Sequence, residues 1–196
     1  MVKETNVRDL TKEDDLQILQ WLTNPSTLDK GFRCLVEKYQ EKLYWQIRRM
    51  VLNHDDADDV LQNTFIKIFR NINSFEGKSS LYTWLYRIAG NESLSFLEKQ
   101  KRQFAESLDD MASHPAILRL QADPYYEGDD VNIILQEAIV SLPEKQRQVF
   151  NLRYYDEMPY REMSEVLDTS EGALKSSFHH AVKKIQEYVK SKRKDE

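Results

Sequence analysis

Apolar residues recur along this chain at helical intervals rather than in alternation, in blocks separated by short polar breaks. In EDDLQILQWL, Leu16, Leu19 and Leu22 make one stripe, and NPST ends it. GFRCLVEKYQEKLYWQIRRMVL carries Phe32, Leu35, Val36, Tyr39, Leu43, Ile47, Met50 and Val51 at the helical period. NHDDADD separates that block from VLQNTFIKIFRNI, where Val60, Leu61, Phe65, Ile68 and Phe69 form a third stripe. The Asn, Ser and Gly content of NSFEGKSS marks a loop, after which LYTWLYRIAGNESLSFLEKQKR reads as a fourth helix.

Between residues 106 and 130 the periodicity stops. ESLDDMASHPAILRLQADPYYEGDD holds two prolines, a glycine and seven acids against Arg119 alone, a net charge of −6. That is the composition of a linker. Helical blocks then resume as VNIILQEAIVSL, PEKQRQVFNLRYYD, PYREMSEVL and TSEGALKSSFHHAVKKIQEYVKS. The pattern predicts an all-α fold of two small helical domains, residues 1–105 and 131–196, joined by an acidic flexible linker over 106–130.

Composition adds only exclusions. No apolar run approaches the ~20 residues of a membrane-spanning helix, and MVKETNVRDL lacks an apolar leader segment, so no membrane insertion is expected. The single cysteine, Cys34, has no internal partner for a disulfide, which fits a cytoplasmic protein.

YREMSEVLDTSEGALKSSFHHAVKKI has the form of two helices about a tight turn. The first covers Tyr160 to Leu167, with Met163, Val166 and Leu167 apolar; DTS is the turn, and Thr169 is the expected N-cap of a helix beginning at Ser170. In that helix Leu174, Phe178, Ala181, Val182, Ile185 and Val189 form one apolar stripe. Lys175, Ser176, His179, His180 and Lys183 are then left to the outer face, as in a helix that enters the major groove. Residues 170–194 hold seven Lys and Arg against two Glu, a local +5 within a chain of net −5. The whole-chain charge is therefore a poor guide to nucleic-acid binding, because phosphate contacts form where the lysines are. A solvated charged face and a metal site are the competing readings. Adjacent histidines lie about 100° apart on a helix and do not chelate together as an i, i+4 pair does. The aspartates at 55, 56, 58 and 59 lack partner histidines or a glycine-containing calcium loop. They read as helix-start carboxylates, so neither metal, cofactor nor catalytic residue is expected.

LPEKQRQVFNLRYYDEMPYREMSEVL followed by TSEGALKSSFHHAVKKI resembles the promoter-binding C-terminal domain of extracytoplasmic-function (ECF) sigma factors of the bacterial sigma-70 family. Gly172, Ala173, Leu174, Lys175 and Ser176 fit that family's second-helix pattern. DADDVLQNTFIKIFRNINSFEGKSSLYTWLYRIAGNESLSFL is similar to the family's central conserved region, in the same order along the chain. The resemblance implies a sigma factor, not an enzyme, that binds core RNA polymerase through its clamp helices and flap and directs promoter-specific initiation.

The resemblance assigns docking on the clamp helices to Asp58, Asp59, Gln62 and Phe65. It assigns recognition of the melted −10 element to Phe75, Gly77, Lys78, Ser79, Ser80, Tyr82, Trp84, Arg87 and Asn91. An extruded base needs close backbone approach and small polar donors, which Gly77, Ser79 and Ser80 supply. Tyr82, Trp84 and Tyr86 offer flat faces to unstacked bases. Contacts to the −35 duplex are expected from Lys175, Ser176, Ser177, His179, His180, Lys183 and Lys184. Promoter DNA and an anti-sigma factor are the further partners implied. The alternatives are a stand-alone helix-turn-helix regulator, which leaves the first hundred residues unexplained, and a metal-dependent nuclease or phosphohydrolase built on the aspartate cluster, which the ligand spacing does not support.

Overall fold

The computed structural model describes residues 12–105 and 130–192. Among these residues the structure is helical throughout, without strands: α1 (Lys12–Leu22), α2 (Leu28–Val51), α3 (His54–Asn71), a 3-10 turn (Ile72–Ser74), α4 (Leu81–Ala105), α5 (Asp130–Val140), α6 (Glu144–Tyr154), α7 (Tyr160–Leu167) and α8 (Glu171–Lys192). The acidic linker expected over 106–130 lies, save for Asp130, outside the described residues.

Helix α2 is the axis of the N-terminal half. Leu35, Tyr39, Leu43, Ile47 and Met50 fall on one stripe and are buried against α1, α3 and α4. Helix α1 docks through Ile18 and Leu22, with Leu16 turned outward and 59% exposed. The stripe expected on Leu16, Leu19 and Leu22 is thus rotated, because the contact with α2 selects the Ile18 side. Asp15 anchors that contact: it accepts from the Tyr39 hydroxyl at 2.8 Å and pairs with Lys38 Nζ at 2.5 Å. The NHDDADD segment is not a separator. Asn53 caps α3 by accepting from the Asp56 N–H at 3.0 Å, so the aspartates occupy the first turns of the helix, where its dipole favours them.

In the C-terminal half, α5, α6 and α8 enclose Ala138, Ile139, Leu142, Phe150, Ala181 and Ile185. Helix α7 keeps its expected bounds and ends at Asp168 in the left-handed conformation (φ 48°). The cap of α8 is Ser170, one residue later than expected. Its Oγ accepts from the Ala173 N–H at 3.3 Å, while the Thr169 hydroxyl donates to the Leu167 carbonyl. Val149, Leu152, Met158, Met163, Val166 and Leu174 face the other way and join the apolar cluster of the N-terminal half. The two halves therefore meet along a shared seam, with α6 across the end of α2 and α7 against α4.

Two glycines test this packing. A Cβ at Gly31 would lie 2.9 Å from the Leu22 backbone nitrogen and 2.9 Å from Trp21 Cβ, whereas one at Gly172 meets nothing within 4 Å. Chemical denaturation should show Gly31→Ala destabilised by about 1–3 kcal/mol through forced separation of α1 and α2. Gly172→Ala should be stabilised by about 0.4–1 kcal/mol through a less flexible unfolded chain.

Candidate nucleic-acid interface

Helix α8 presents its outer face because Leu174, Ala181 and Ile185 are buried beneath it. Lys175, Ser176, His179, His180, Lys183 and Lys184 are exposed. Ser177 is not among them. Three residues after Leu174, it lies half-buried on the core side, which removes it from the outward face expected for it. Lys184 also departs from the group, since its Nζ donates to Gln146 Oε1 at 2.9 Å. Lys175 and Lys183 hold loose i, i+4 pairs with Glu171 (3.4 Å) and Glu187 (3.9 Å). Exposed pairs of this kind are worth little and yield readily to a phosphate. The histidine rings are 6.0 Å apart at 63°. Among the described residues no three His, Cys, Asp or Glu side chains gather as a metal group.

A support beneath this face escaped the sequence reading. The Tyr160 ring lies 5.5 Å from Lys175 Nζ and 5.2 Å from the Arg153 guanidinium. Arg153 also donates to the Met158 carbonyl at 3.1 Å. It thereby ties down the loop before α7, where Glu157 has φ 51°. The tyrosine and arginine stand in a stretch whose periodicity reports only the core, so spacing alone gave no signal for them.

The loop from Phe75 to Ser80 leads into α4. Gly77 sits at φ 69° with open space around it, and the exposed Lys78 pairs with Glu76. Ser79 is half-buried. Ser80 is the cap of α4: its Oγ accepts from the Thr83 N–H at 3.0 Å and lies 2.8 Å from Thr83 Oγ1. Its oxygen thus starts the helix, while the side chain stays exposed. Trp84 is 8% exposed and packs on Phe75 with centroids 5.4 Å apart. Both rings shape the loop from beneath, so Trp84 offers no face to a base in this conformation. Arg87 and Asn91, one turn apart, remain exposed on α4.

Tyr82 and Tyr86 turn to another side of α4, their rings 4.1 Å apart and facing the C-terminal half. Burial pushes the Tyr82 phenol up to about 12, helped by the charges of Asp156 and Glu162. Burial also raises Tyr86, with Asp156 again contributing. Tyr86 is buried and Tyr82 half-buried, so the flat face expected for melted DNA is largely withdrawn from solvent.

On α3, Asp58, Asp59 and Gln62 are exposed and Phe65 is half-buried. Asp58 lies 3.6 Å from His54 Nε2, and His54 Nδ1 is 2.7 Å from the Tyr44 hydroxyl. Beside them Phe32, Val36, Gln62, Phe65, Ile66, Phe69 and Arg70 line an apolar groove of 480 Å³. Phe69, expected in the core stripe, is 41% exposed, because Ile68 alone fills the inward position. FIKIF did carry a signal: four large apolar residues within five positions span more of a helix than one core face accommodates.

With this geometry in place, comparison with known proteins places the chain first among sigma-70 factors. Residues 35–103 match Sigma-70 region 2 and residues 132–185 match Sigma-70, region 4. The chain is 33% identical over 170 residues to the ECF RNA polymerase sigma-E factor of Haemophilus influenzae, covering 82% of this chain and 88% of that protein. It is 29% identical over 167 residues to the ECF RNA polymerase sigma factor SigW of Bacillus subtilis, covering 82% and 89%. The fold is similar to that of the sigma factor RpoE from Bartonella quintana, solved in complex with the anti-sigma factor NepR. There the TM-score is 0.63 at 26% identity, covering 82% of this chain and 98% of that one. It also resembles CnrH, solved with the cytosolic domain of CnrY, with a TM-score of 0.64 at 19% identity over 92% and 97% of the two chains. The chain belongs to the ECF RNA polymerase sigma factor family. A stand-alone regulator would leave the region 2 match unexplained, and a nuclease would leave both.

The cap of α4 supplies a local test. Ser80→Ala should cost about 0.5–2 kcal/mol, read in thermal unfolding, with faster amide hydrogen exchange at Tyr82 and Thr83.

Proposed function

We propose that this protein is a promoter-specificity subunit that binds core RNA polymerase and directs initiation at promoters carrying matched −35 and −10 elements. It carries no enzymatic activity of its own and acts in the cytoplasm. The observation that supports this most is the order of two sigma-70 regions along one chain, each with its own outward-facing polar surface. No helix among the described residues is long and apolar enough to cross a membrane.

In this reading residues 1–105 form the polymerase-binding and −10 domain, 106–130 the linker and 131–196 the −35 domain. Asp58, Asp59, Gln62 and Phe65 dock on the polymerase clamp helices, and the neighbouring apolar groove extends that surface. Gly77, Lys78, Arg87 and Asn91 approach the melted −10 strand over a loop shaped by Phe75 and Trp84. Lys175, Ser176, His179 and His180 enter the −35 major groove, with Lys183 and Lys184 toward phosphates. The acidic linker follows the positively lined nucleic-acid channel of the polymerase. An anti-sigma factor is a further partner, in keeping with the complex in which RpoE was solved.

Run-off transcription with purified cognate core polymerase, with and without this protein, decides the reading: a promoter-dependent transcript is expected only with it. Asp59→Arg should weaken core binding in an anisotropy titration by about tenfold, or about 1.4 kcal/mol, with the helical content unchanged. Lys175→Ala should cost about 1–3 kcal/mol on the cognate −35 duplex and relax selectivity at one position. An equal loss on every sequence would instead assign Lys175 to phosphate contact.

A further inference from the structure

The corner between α2 and α3 carries a line of polar contacts that ends on a docking residue. Leu52, at φ 73°, stops α2, and the Arg48 guanidinium donates to its carbonyl. Arg48 also hydrogen-bonds the Tyr44 hydroxyl, one turn earlier on α2. That hydroxyl lies 2.7 Å from His54 Nδ1, and the far side of the same imidazole, Nε2, lies 3.6 Å from Asp58 Oδ2. The Tyr44 ring is held edge-on by two others, Trp45 at 5.4 Å and His54 at 5.9 Å. The line Arg48, Tyr44, His54, Asp58 thus crosses from the last turns of α2 to the first turns of α3, the helix that carries the docking side chains.

The donors along this line run in one direction. A guanidinium only donates, so the Tyr44 oxygen accepts from Arg48 and keeps its own proton to give. A carboxylate only accepts, so Nε2 carries the proton that faces Asp58, and Nδ1 of the neutral ring is left to accept from Tyr44. The tautomer of His54 is therefore set from both sides. A separation of 3.6 Å is long for a hydrogen bond, so the imidazole biases the exposed carboxylate rather than locking it. Such a bias matters at an interface, because a side chain already oriented loses less conformational freedom when a partner binds. The neighbouring acids are placed differently: Asp56 accepts from Gln100 Nε2 at 3.4 Å, and Asp55 and Asp59 stand outside the line.

We propose that Tyr44 and His54 are positioning residues of the polymerase-docking site, holding the Asp58 carboxylate pre-oriented for a basic group of the polymerase. This rests on the docking role proposed above for Asp58. Tyr44 and His54 act through that carboxylate and not by touching the partner. Arg48 and Trp45 in turn fix Tyr44. Helix α2, which supplies none of the expected docking side chains, thereby sets the geometry of one of them.

The test measures binding of the labelled full chain to purified cognate core polymerase by fluorescence anisotropy, with circular dichroism as the control for folding. Tyr44→Phe, which removes one oxygen and keeps the ring, and His54→Ala should each weaken binding about three- to fivefold, the range of an exposed charge contact. Placed in an Asp58→Asn background, neither should weaken it further, because both act through that carboxylate. His54→Gln, whose amide can still donate toward Asp58, should recover most of the loss. Asp55→Asn, which removes an equal charge off the line, should leave binding unchanged. Long-range proton–nitrogen spectra in alkaline buffer should show the His54 proton on Nε2 in the wild type and mixed tautomers in Tyr44→Phe. Should Tyr44→Phe lose helical content, His54→Ala and His54→Gln carry the cycle in its place. Losses that add to that of Asp58→Asn, an equal loss from Asp55→Asn, or wild-type binding by His54→Ala overturn the inference. Unchanged binding by Asp58→Asn beside a weakened Asp59→Arg also overturns it and leaves the docking surface standing. Unchanged binding by both would defeat the docking role itself.

Discussion

One guanidinium fixes how the two halves of this chain lie together. Arg147 is buried and charged, and a charge in that position persists only if its donors are met. Its two terminal nitrogens donate to the carbonyls of Met50 and Val140, at the C-terminal ends of α2 and α5. Those ends carry unpaired carbonyls and the negative pole of the helix dipole, so a cation between them resolves two needs at once. Arg48 does the same more locally, donating to the Leu52 carbonyl just past the end of α2. Leu52 itself takes the left-handed conformation that stops α2. The chain can then reverse into α3 while α6 crosses the same end.

From that crossing the functional geometry follows. Placing α6 over the end of α2 brings α7 onto α4 and turns α8 outward. The outward turn leaves the basic face of α8 in solvent. The contact between α7 and α4 lies on the side of α4 where Tyr86 is buried. The exposed edge of α3, with its aspartates and its groove of aromatic side chains, stands apart from the seam, so a partner can dock there whichever way the two halves lie. Three separate surfaces are thus carried on one small helical body, and their accessibility is set separately.

Charge is partitioned in the same way. Residues 106–130 carry −6 and residues 170–194 carry +5, so the chain total of −5 describes neither. Screening confines each to its own neighbourhood, within roughly 8–10 Å at physiological salt.

The helices, their order and the helix-turn-helix were legible in the sequence because helical periodicity is local, and each stripe needs only its own neighbours. The family resemblance followed from motif order for the same reason. What periodicity reports is that a face is apolar, not what covers it. Leu16 and Phe69 read as core and are exposed, since the choice among adjacent apolar positions is made by the partner helix. Ser80 and Trp84 read as groups facing DNA; one is occupied as a cap and the other packs on Phe75, contacts that depend on the loop's path. Tyr86 is buried on the side of α4 where distant residues of α7 come to lie. Arg147, Asn151 and Asp156 gave no sign of their role, because their partners in α2 lie about a hundred positions away in sequence. The sequence by itself determined the class of protein and its local elements. The tertiary structure alone decided which surfaces are open, because exposure is set by contacts between residues that no local spacing relates.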